Sequence, residues 1–306
     1  MNPALSAKQP EPSTPPQLGV IGLGLLGTAL AERALAAGVT VLGFDIDATR
    51  RAHINQAGGR ALASARETAQ ACRRILLVLP HDGVTREVLD DIASSLTPGT
   101  LILDATTGDP DASVALERSL AERGVTYLDT TVSGSSAQAR RGEALFMVGG
   151  TKEAFDQCQD LFLAIAGQTI HTGPCGSGAK LKLVTNLVLG LNRAALAEGL
   201  VFAGVLGLDP EQSLEVLKAS TAYSRIMDTK GEKMLRSDFE PQARLSQHLK
   251  DVRLMLDAAA RAGQRLPLSE AHRALLESAE QLGLGSLDNS AILRAIEAQR
   301  RKDRTK

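Results

Sequence analysis

The chain has 306 residues, of which 43% are hydrophobic and 23% charged, the proportions of an ordinary globular protein with room for about two domains. Its formal net charge of −1 argues against the positive field of a nucleic-acid-binding protein, and an aromatic content of only 3% argues against a base-stacking surface. Three distant cysteines and five scattered histidines predict no disulfide framework and no metal site, and they favour a reduced, cytoplasmic setting.

The first 17 residues contain five prolines and no apolar core of a signal peptide, which predicts a disordered tail over residues 1–17. No apolar run is long enough to suggest a transmembrane segment, so no membrane association is expected. Small molecules and further copies of the chain remain as the expected partners.

A strand–turn–helix pattern follows the tail. The apolar run Leu18–Ile21 leads into a glycine-rich turn, helix-forming residues continue to Ala37, and Gly38 ends them. A second strand is predicted over Thr40–Phe44. Glycines at these spacings allow a tight turn and let the backbone approach a pyrophosphate that faces the helix N-terminus. The pattern therefore predicts a dinucleotide bound by Gly22, Leu23, Gly24, Leu25, Leu26 and Gly27.

An acidic residue ends the second strand. Asp45 lies 18 positions after Gly27, where a carboxylate accepts hydrogen bonds from the ribose hydroxyls of the adenosine half. A 2′-phosphate at this place would meet like charge, so NAD is favoured over NADP as the cofactor. Arg50 and Arg51 follow closely and keep NADP possible, although exposed positions on the next helix account for them as well.

Strands and helices continue to alternate up to residue 175. Repeated units of this size predict a Rossmann fold, an α/β domain with a doubly wound, mostly parallel sheet, over residues 18–175. Ligands bind such sheets beyond the carboxyl ends of the strands, at Leu79-Pro80, Thr106-Thr107 and Thr131-Val132-Ser133-Gly134. The predicted strands are Arg74–Pro80, Thr100–Asp104, Val125–Leu128, Ala144–Val148 and Gln168–His171, with helices over Val84–Ser94, from Pro110 to Gly124 and from about Thr151.

From residue 176 onward only helical periodicity remains. An all-α domain is expected over 176–299, joined to the first domain by its long first helix, and a solvated basic tail over 300–306. The long helix has too little polar surface for solvent, so we expect it to be buried between the domains or against another subunit. The predicted helices are Lys180–Leu206, Pro210–Lys218, Ser224–Lys233, Ala243–Ala262, Pro267–Gln281 and Ser290–Gln299.

The start of the long helix carries a lysine and an asparagine four residues apart. This spacing places Lys182 and Asn186 on one face of the helix. The helix dipole disfavours a positive charge near the N-terminus, so we expect it to lower the pKa of Lys182 toward the range useful for proton transfer. Taken alone, the same residues also fit a solvated surface lysine beside an unrelated asparagine.

Three separated blocks resemble the signatures of the β-hydroxyacid dehydrogenases, the group of 3-hydroxyisobutyrate dehydrogenase and tartronate semialdehyde reductase. The resemblance covers the chain from about Leu18 to Gln299, and its blocks are Gly22–Gly27, Asp129–Gly134 and Gly176–Asn186. It implies that Lys182 is the catalytic lysine and that Lys180, out of phase with the pattern, is not. It also implies that Ser133 and Gly134 bind a substrate carboxylate and that Asn186 orients the substrate or the lysine.

The same resemblance implies contacts with the cofactor at Leu79, Pro80, Thr107 and Lys250. Lys250 would reach these strand ends from the helical domain, whereas without the resemblance it is simply an exposed helix lysine. The activity implied is hydride transfer between NAD(H), or NADP(H), and a small 3-hydroxy acid, aldehyde or keto acid, with a lysine as general acid and base. A homodimer or homotetramer assembled through the helical domain is expected.

Some residues depart from the family pattern. The middle block usually ends Ser-Gly-Gly, whereas this chain has Ser133-Gly134-Ser135, so the substrate need not be that of any named member. Arg140 and Arg141 follow this loop, where they either grip a second anionic group or lie on the surface. The segment Tyr223–Arg225 is another candidate for contacting the far end of the substrate.

Two other functions fit the same architecture. One is an imine reductase-like enzyme, and the other is a non-catalytic dinucleotide-binding module whose helical domain serves assembly. Relatives of both kinds typically lack the lysine, so the presence of Lys182 argues against them.

Overall fold

A computed structural model describes residues 16–303, with side chains described for 16–299. Its N-terminal part is one eight-stranded sheet in the spatial order β3-β2-β1-β4-β5-β6-β7-β8, in which every neighbouring pair is parallel except β6 and β7. The strand order reverses between β1 and β4, which opens a crevice at their carboxyl ends. The strands are β1 Gln17–Ile21, β2 Thr40–Phe44, β3 Arg60–Ala61, β4 Arg74–Leu77, β5 Leu101–Asp104, β6 Thr126–Ser133, β7 Leu145–Gly149 and β8 Gln168–Gly173.

Helices cover both faces of the sheet. Residues that alternate along one strand belong to different hydrophobic cores, with Leu76 on one face and Ile75 and Leu77 on the other, all three fully buried. Burial on both faces explains why the central strands are almost continuously apolar. The helices of this part are α1 Leu25–Ala36, α2 Ala48–Gln56, α3 Ala65–Ala71, α4 Asp82–Ile92, α5 Pro110–Ala121, α6 Ser136–Arg140, α7 Lys152–Asp156 and α8 Gln159–Ile165.

Two predicted strand ends were wrong by three residues or more. Strand β4 ends at Leu77 rather than Pro80, because Leu79 N donates to the Thr106 hydroxyl at 3.1 Å. Strand β6 continues past the predicted end at Leu128 as far as Ser133, because β7 returns antiparallel and pairs with it from Asp129 onward. The prediction also missed the short elements β3, α3, α6 and α8, which are too brief to show a clear period.

The rest of the described chain is helical. It comprises α9 Ser177–Val205, α10 Pro210–Ala219, α11 Ile226–Leu235, α12 Leu245–Arg261, α13 Pro267–Gln281, a 3₁₀ turn Asn289–Ala291 and α14 Ile292–Asp303. The predicted fold class, a Rossmann domain followed by helices, is confirmed. At the predicted tails, Gln17 already belongs to β1 and residues 300–303 to α14, whereas 1–15 and 304–306 lie outside the described residues.

Helix α9 is 29 residues long, and by length and composition alone it is apolar enough to cross a membrane. The expectation that no apolar stretch reaches spanning length was therefore wrong, although the core helix of a soluble protein meets the same criterion. Ten of its residues are buried at helical spacing, Leu183, Leu196 and Leu200 among them. Another set of apolar side chains on this helix is exposed, namely Leu181, Val184, Val188, Leu189, Phe202 and Val205.

Candidate functional site

The glycine-rich turn joins β1 to α1 and is shaped by close packing. Gly22 has φ of +97°, and a Cβ atom there would lie 2.3 Å from the Val78 carbonyl oxygen. A Cβ at Gly27 would lie 1.9 Å from the Gly22 carbonyl oxygen. At Gly24 the nearest atom would be Arg50 Nη1 at 3.9 Å, so this position faces open space. Two glycines therefore hold the turn together and the third leaves room for a ligand.

The N-terminus of α1 fits an anion such as a pyrophosphate. The helix begins after Gly24, no side chain caps it, and its first turn contains no acidic residue. Its first N–H groups and the positive end of the helix dipole point to the space beside Gly24. The turn, which includes Leu23, Leu25 and Leu26, thus has the donors that a dinucleotide requires.

Asp45 lies beside this turn at the end of β2 and is buried. Its Oδ2 accepts a hydrogen bond from Leu23 N at 2.7 Å, and its Oδ1 accepts one from Asp47 N at 2.9 Å. Arg50 Nη1 lies 3.3 Å from the same carboxylate, and Arg51 Nη1 donates to the Asp45 carbonyl oxygen at 2.6 Å. Both arginines lie on α2. The structure therefore brings Asp45, Arg50 and Arg51, the residues from which the cofactor preference was predicted, into contact.

Lys250 joins the helical part of the protein to the carboxyl ends of β4 and β5. From α12, its Nζ donates to the Thr107 carbonyl oxygen at 2.6 Å and to the Pro80 carbonyl oxygen at 3.2 Å. Gln247, one turn earlier, donates to the same Pro80 oxygen at 3.0 Å. Leu79 is held in this loop by its bond to the Thr106 hydroxyl. The four residues assigned to the cofactor by resemblance come from three separate stretches of the chain and therefore meet at one edge of the sheet.

Lys182 is the sixth residue of α9 and is half-buried. Its Nζ donates a hydrogen bond to the Val132 carbonyl oxygen at 2.6 Å, directly next to Ser133 at the end of β6. The pKa of Lys182 is lowered chiefly by burial and also by the charge of Lys250, whereas Asp251 acts in the opposite direction. Burial is the largest of these influences, and the effect of the helix dipole stays a prediction. Lys180 is exposed, as a residue out of phase with the pattern should be.

Asn186 lies one turn after Lys182 and is buried against α12. Its Nδ2 donates to Asp251 Oδ2 at 2.9 Å, and Lys250 Nζ lies 3.2 Å from the other oxygen of that carboxylate. Burial raises the pKa of Asp251, although the charges of Lys250 and Lys182 pull it down. Asp251 was missed by sequence reasoning, and its only signal was its place immediately after Lys250.

Ser133 and Gly134 lie where β6 leaves the sheet. Ser133 is half-buried, and Gly134 is exposed with φ of +144°, a conformation that favours glycine. The hydroxyl of Ser135 accepts from Gln138 N at 3.3 Å, and Gln138 Oε1 accepts from Ser135 N at 2.9 Å, so the pair caps α6. The serine that departs from the family pattern therefore ends the loop and starts a short helix.

The other residues proposed to contact the substrate are engaged at the surface. Arg140 pairs with Glu32 and Arg141 with Glu143, and all of these side chains but Glu32 are largely exposed. The hydroxyl of Tyr223 donates to Asp228. Among residues 16–303, no group of three or more His, Cys, Asp or Glu side chains is arranged to hold a metal ion.

Comparison with known proteins places this site in context. Two family models match the chain: the NAD binding domain of 6-phosphogluconate dehydrogenase over residues 17–173, and a model described as NAD-binding of NADP-dependent 3-hydroxyisobutyrate dehydrogenase over residues 176–296. The chain is 32% identical over 285 residues to 2-(hydroxymethyl)glutarate dehydrogenase of Eubacterium barkeri, with 92% of this chain and 95% of that protein covered.

L-Threonate dehydrogenase of Cupriavidus necator is also 32% identical, over 281 residues that cover 90% of this chain and 95% of that protein. A crystal structure of 3-hydroxyisobutyrate dehydrogenase from Salmonella typhimurium matches the fold with a TM-score of 0.85 at 26% identity, covering 91% of this chain and 99% of that one. Full-length relatives with dehydrogenase names therefore share both parts of the fold.

Proposed function

This chain belongs to the β-hydroxyacid dehydrogenase family, and on that premise we propose that Lys182 transfers the proton that accompanies hydride transfer. The protein is an NAD(P)-dependent oxidoreductase of small hydroxy acids or semialdehydes. The observation that carries the proposal is the position of the Lys182 amine, which is hydrogen-bonded to Val132 next to Ser133. This places a lysine of lowered pKa beside the residues assigned to the substrate carboxylate.

Different residues of the chain bind the cofactor, bind the substrate and transfer the proton in this proposal. When bound, the nicotinamide supplies the hydride chemistry. The turn Gly22–Gly27 binds the pyrophosphate, while Ser133 and Gly134 hold the carboxylate through a hydroxyl and a backbone N–H. In reduction, the Lys182 ammonium donates a proton to the carbonyl oxygen, and in oxidation its neutral amine accepts the hydroxyl proton. Asn186, fixed by Asp251, orients the substrate or the lysine.

The preferred cofactor is proposed to be NAD. Asp45 places a carboxylate beside the glycine-rich turn, where it suits ribose hydroxyls and repels a 2′-phosphate. Arg50 and Arg51 partly offset this charge and leave NADP as a weaker cofactor.

The proposed assembly is a homodimer formed through α9, located in the cytoplasm. Support for the dimer comes from the exposed apolar side chains of that helix, because a patch of this kind favours a protein partner. The three cysteines are free and buried, which suits a reducing compartment. Cell fractionation tests the location, and a membrane or extracellular fraction would contradict it.

A non-catalytic module and an imine reductase remain the competing functions, and the presence of Lys182 beside Ser133 disfavours both. A proton-donating lysine beside a carboxylate-binding loop has no use in a module that only binds dinucleotide.

The test is a screen of NADH and NADPH oxidation with short aldehyde and keto acids, run alongside the reverse reaction on hydroxy acids. The hydroxy acids should include 2-(hydroxymethyl)glutarate and L-threonate, because relatives bear those names. On the best substrate, Lys182→Ala should lose about 10²–10⁴ in kcat, the usual contribution of an acid–base group.

Lys180→Ala is the matched control, since it removes an exposed lysine two residues away on the same helix and should leave kcat unchanged. Equal turnover in wild type and Lys182→Ala would remove the catalytic assignment. Cofactor binding without turnover on any substrate would favour the module.

A further inference from the structure

The first turn of α9 is held by a carboxylate from the sheet. Asp129 lies in the middle of β6 and is 1% exposed. Its Oδ1 accepts a hydrogen bond from Gly176 N at 3.0 Å, and its Oδ2 accepts one from Ala179 N at 2.7 Å. The residue at the N-cap position of α9 is Gly176, which has no side chain to cap the helix. A residue 47 positions earlier in the chain therefore accepts from the N–H of Ala179, which a local N-cap side chain would satisfy, and also from the N–H of the N-cap residue itself.

Two further contacts join the same strand to α9; together with those of Asp129 they form what we call the β6–α9 joint. Thr131, two residues after Asp129 and so on the same face of β6, donates its hydroxyl to the Gly178 carbonyl oxygen at 2.9 Å. The next residue, Val132, accepts the hydrogen bond of Lys182 through its carbonyl oxygen at 2.6 Å. Strand β6 thus contacts α9 at successive points from Gly176 to Lys182.

Close packing restricts the movement of α9 relative to β6. A Cβ atom at Gly149, on the neighbouring strand β7, would lie 2.1 Å from Asp129 Oδ1. A Cβ atom at Gly178 would lie 2.6 Å from the Met147 carbonyl oxygen. The two glycines let the helix and the sheet approach closely on either side of the carboxylate, so a displacement of α9 breaks its hydrogen bonds to Asp129.

We propose that Asp129 is a positioning residue for Lys182, fixing the rotation and height of α9 so that the amine meets the substrate beside Ser133. The proposal rests on the proposed function of Lys182. A carboxylate is needed because its two oxygens accept from two backbone N–H groups three residues apart, whereas an asparagine has one acceptor and would turn its NH₂ toward the other N–H.

The electrostatics of the joint support this role. Burial raises the pKa of Asp129 to about 6, although the N–H groups of Ala179 and Gly176 lower it. The chain therefore keeps a carboxylate in a place where burial disfavours its charge. A serine or threonine at residue 176 could not take over the capping without strain, because Gly176 has φ of +88° and a Cβ atom there would lie 3.0 Å from Val114 Cγ2. Retaining a costly group beside an active site is expected where geometry matters more than stability.

The test compares Asp129→Asn with wild type in steady-state kinetics, cofactor binding and thermal unfolding. We expect kcat to fall by about 10- to 100-fold, the effect of a displacement of about 1 Å at a reacting group, while the Kd for NADH stays unchanged. The deuterium isotope effect on kcat with 4-deuterated NADH should rise, because a misplaced amine slows the chemical step and not cofactor release. A loss of stability alone would not produce that isotope effect.

Asp209→Asn is the matched control. Asp209 caps α10 by accepting from Gln212 N at 2.7 Å. Among the described residues its side chain bonds no group of the sheet domain, so the kinetics of Asp209→Asn should equal those of wild type. Thr131→Val is the second variant, since it keeps the side-chain shape and removes the hydroxyl bond to Gly178. It should show a smaller fall in kcat and a smaller rise in the isotope effect. It replaces Asp129→Asn as the test if that variant does not fold.

The outcomes separate this inference from the proposed function. If Lys182→Ala loses turnover while Asp129→Asn, or Thr131→Val in its place, keeps wild-type kcat and isotope effect, the positioning role is overturned and the lysine keeps its function. If Lys182→Ala retains turnover, the proposed function itself fails. A fall in kcat with an unchanged isotope effect would also overturn the positioning role.

Discussion

At the scale of single residues, the site is a set of charges that burial pushes toward their neutral forms. The pKa of Lys182 is lowered by burial, and that of Asp251 is raised by burial. A lysine that releases its proton more readily than usual suits the role proposed for Lys182, which is to donate in reduction and to accept in oxidation. The two groups also act on each other, so removing one should change the titration of the other.

Asp251→Asn is therefore expected to move the pH profile of hydroxy acid oxidation. The charge of Asp251 raises the pKa of Lys182, so its removal lowers that pKa further. Oxidation requires the neutral amine, and activity rises with pH through the pKa of the lysine; the rising limb should thus shift to lower pH. The measurement is kcat/KM against pH, with Asp257→Asn, an exposed aspartate on the same helix, as control. An unshifted or upward-shifted limb would contradict the assignment.

Single charges are also predicted to set the choice of cofactor. In Asp45→Ser the repulsion of a 2′-phosphate is removed while Arg50 and Arg51 remain. The kcat/KM with NADP should therefore rise relative to that with NAD. We expect the ratio of kcat/KM values to shift by about tenfold, the equivalent of about 1.4 kcal/mol. Asp90→Ser, at an exposed position of α4, is the control. A preference for NADP already present in wild type would contradict the proposed role of Asp45.

At the scale of elements, two glycines of the glycine-rich turn are expected to act differently, Gly22 on stability and Gly24 on cofactor binding. Gly22→Ala places a Cβ atom 2.3 Å from a carbonyl oxygen at a positive φ, so it should cost about 1–3 kcal/mol in the free energy of unfolding. Gly24→Ala meets open space and should leave stability near wild type, but its methyl group occupies the space of the pyrophosphate. Urea unfolding and NADH titration measure the two effects. Tight NADH binding by Gly24→Ala would mean that the dinucleotide does not lie over this turn.

At the scale of the whole molecule, α9 has one face in the protein core and another that no described residue covers. Val188 and Phe202 on the second face are 52% and 59% exposed. If this face forms the proposed dimer, Val188→Glu and Phe202→Glu should convert the dimer to monomer, as measured by light scattering after size exclusion. Leu163→Glu changes an apolar side chain that is 78% exposed on α8 and should leave the dimer intact. A monomeric wild type would refute the assembly.

The sequence by itself determined the features that depend on neighbouring residues. The glycine spacing, the strands on either side of it and the long apolar helix follow from local turn geometry and periodicity. So does the common face of Lys182 and Asn186, because four residues make about one helical turn. These features predicted the fold class, which is confirmed, and the turn that is proposed to bind the cofactor.

Only the tertiary structure decided what these residues touch. Lys182 is hydrogen-bonded to Val132, which lies 50 positions away in the sequence, and Asn186 is hydrogen-bonded to Asp251, which lies 65 positions away. The extension of β6 depended on β7 returning antiparallel, and the lowering of the pKa of Lys182 depended chiefly on burial. No local pattern carries such information, because packing and desolvation arise only when distant segments come together.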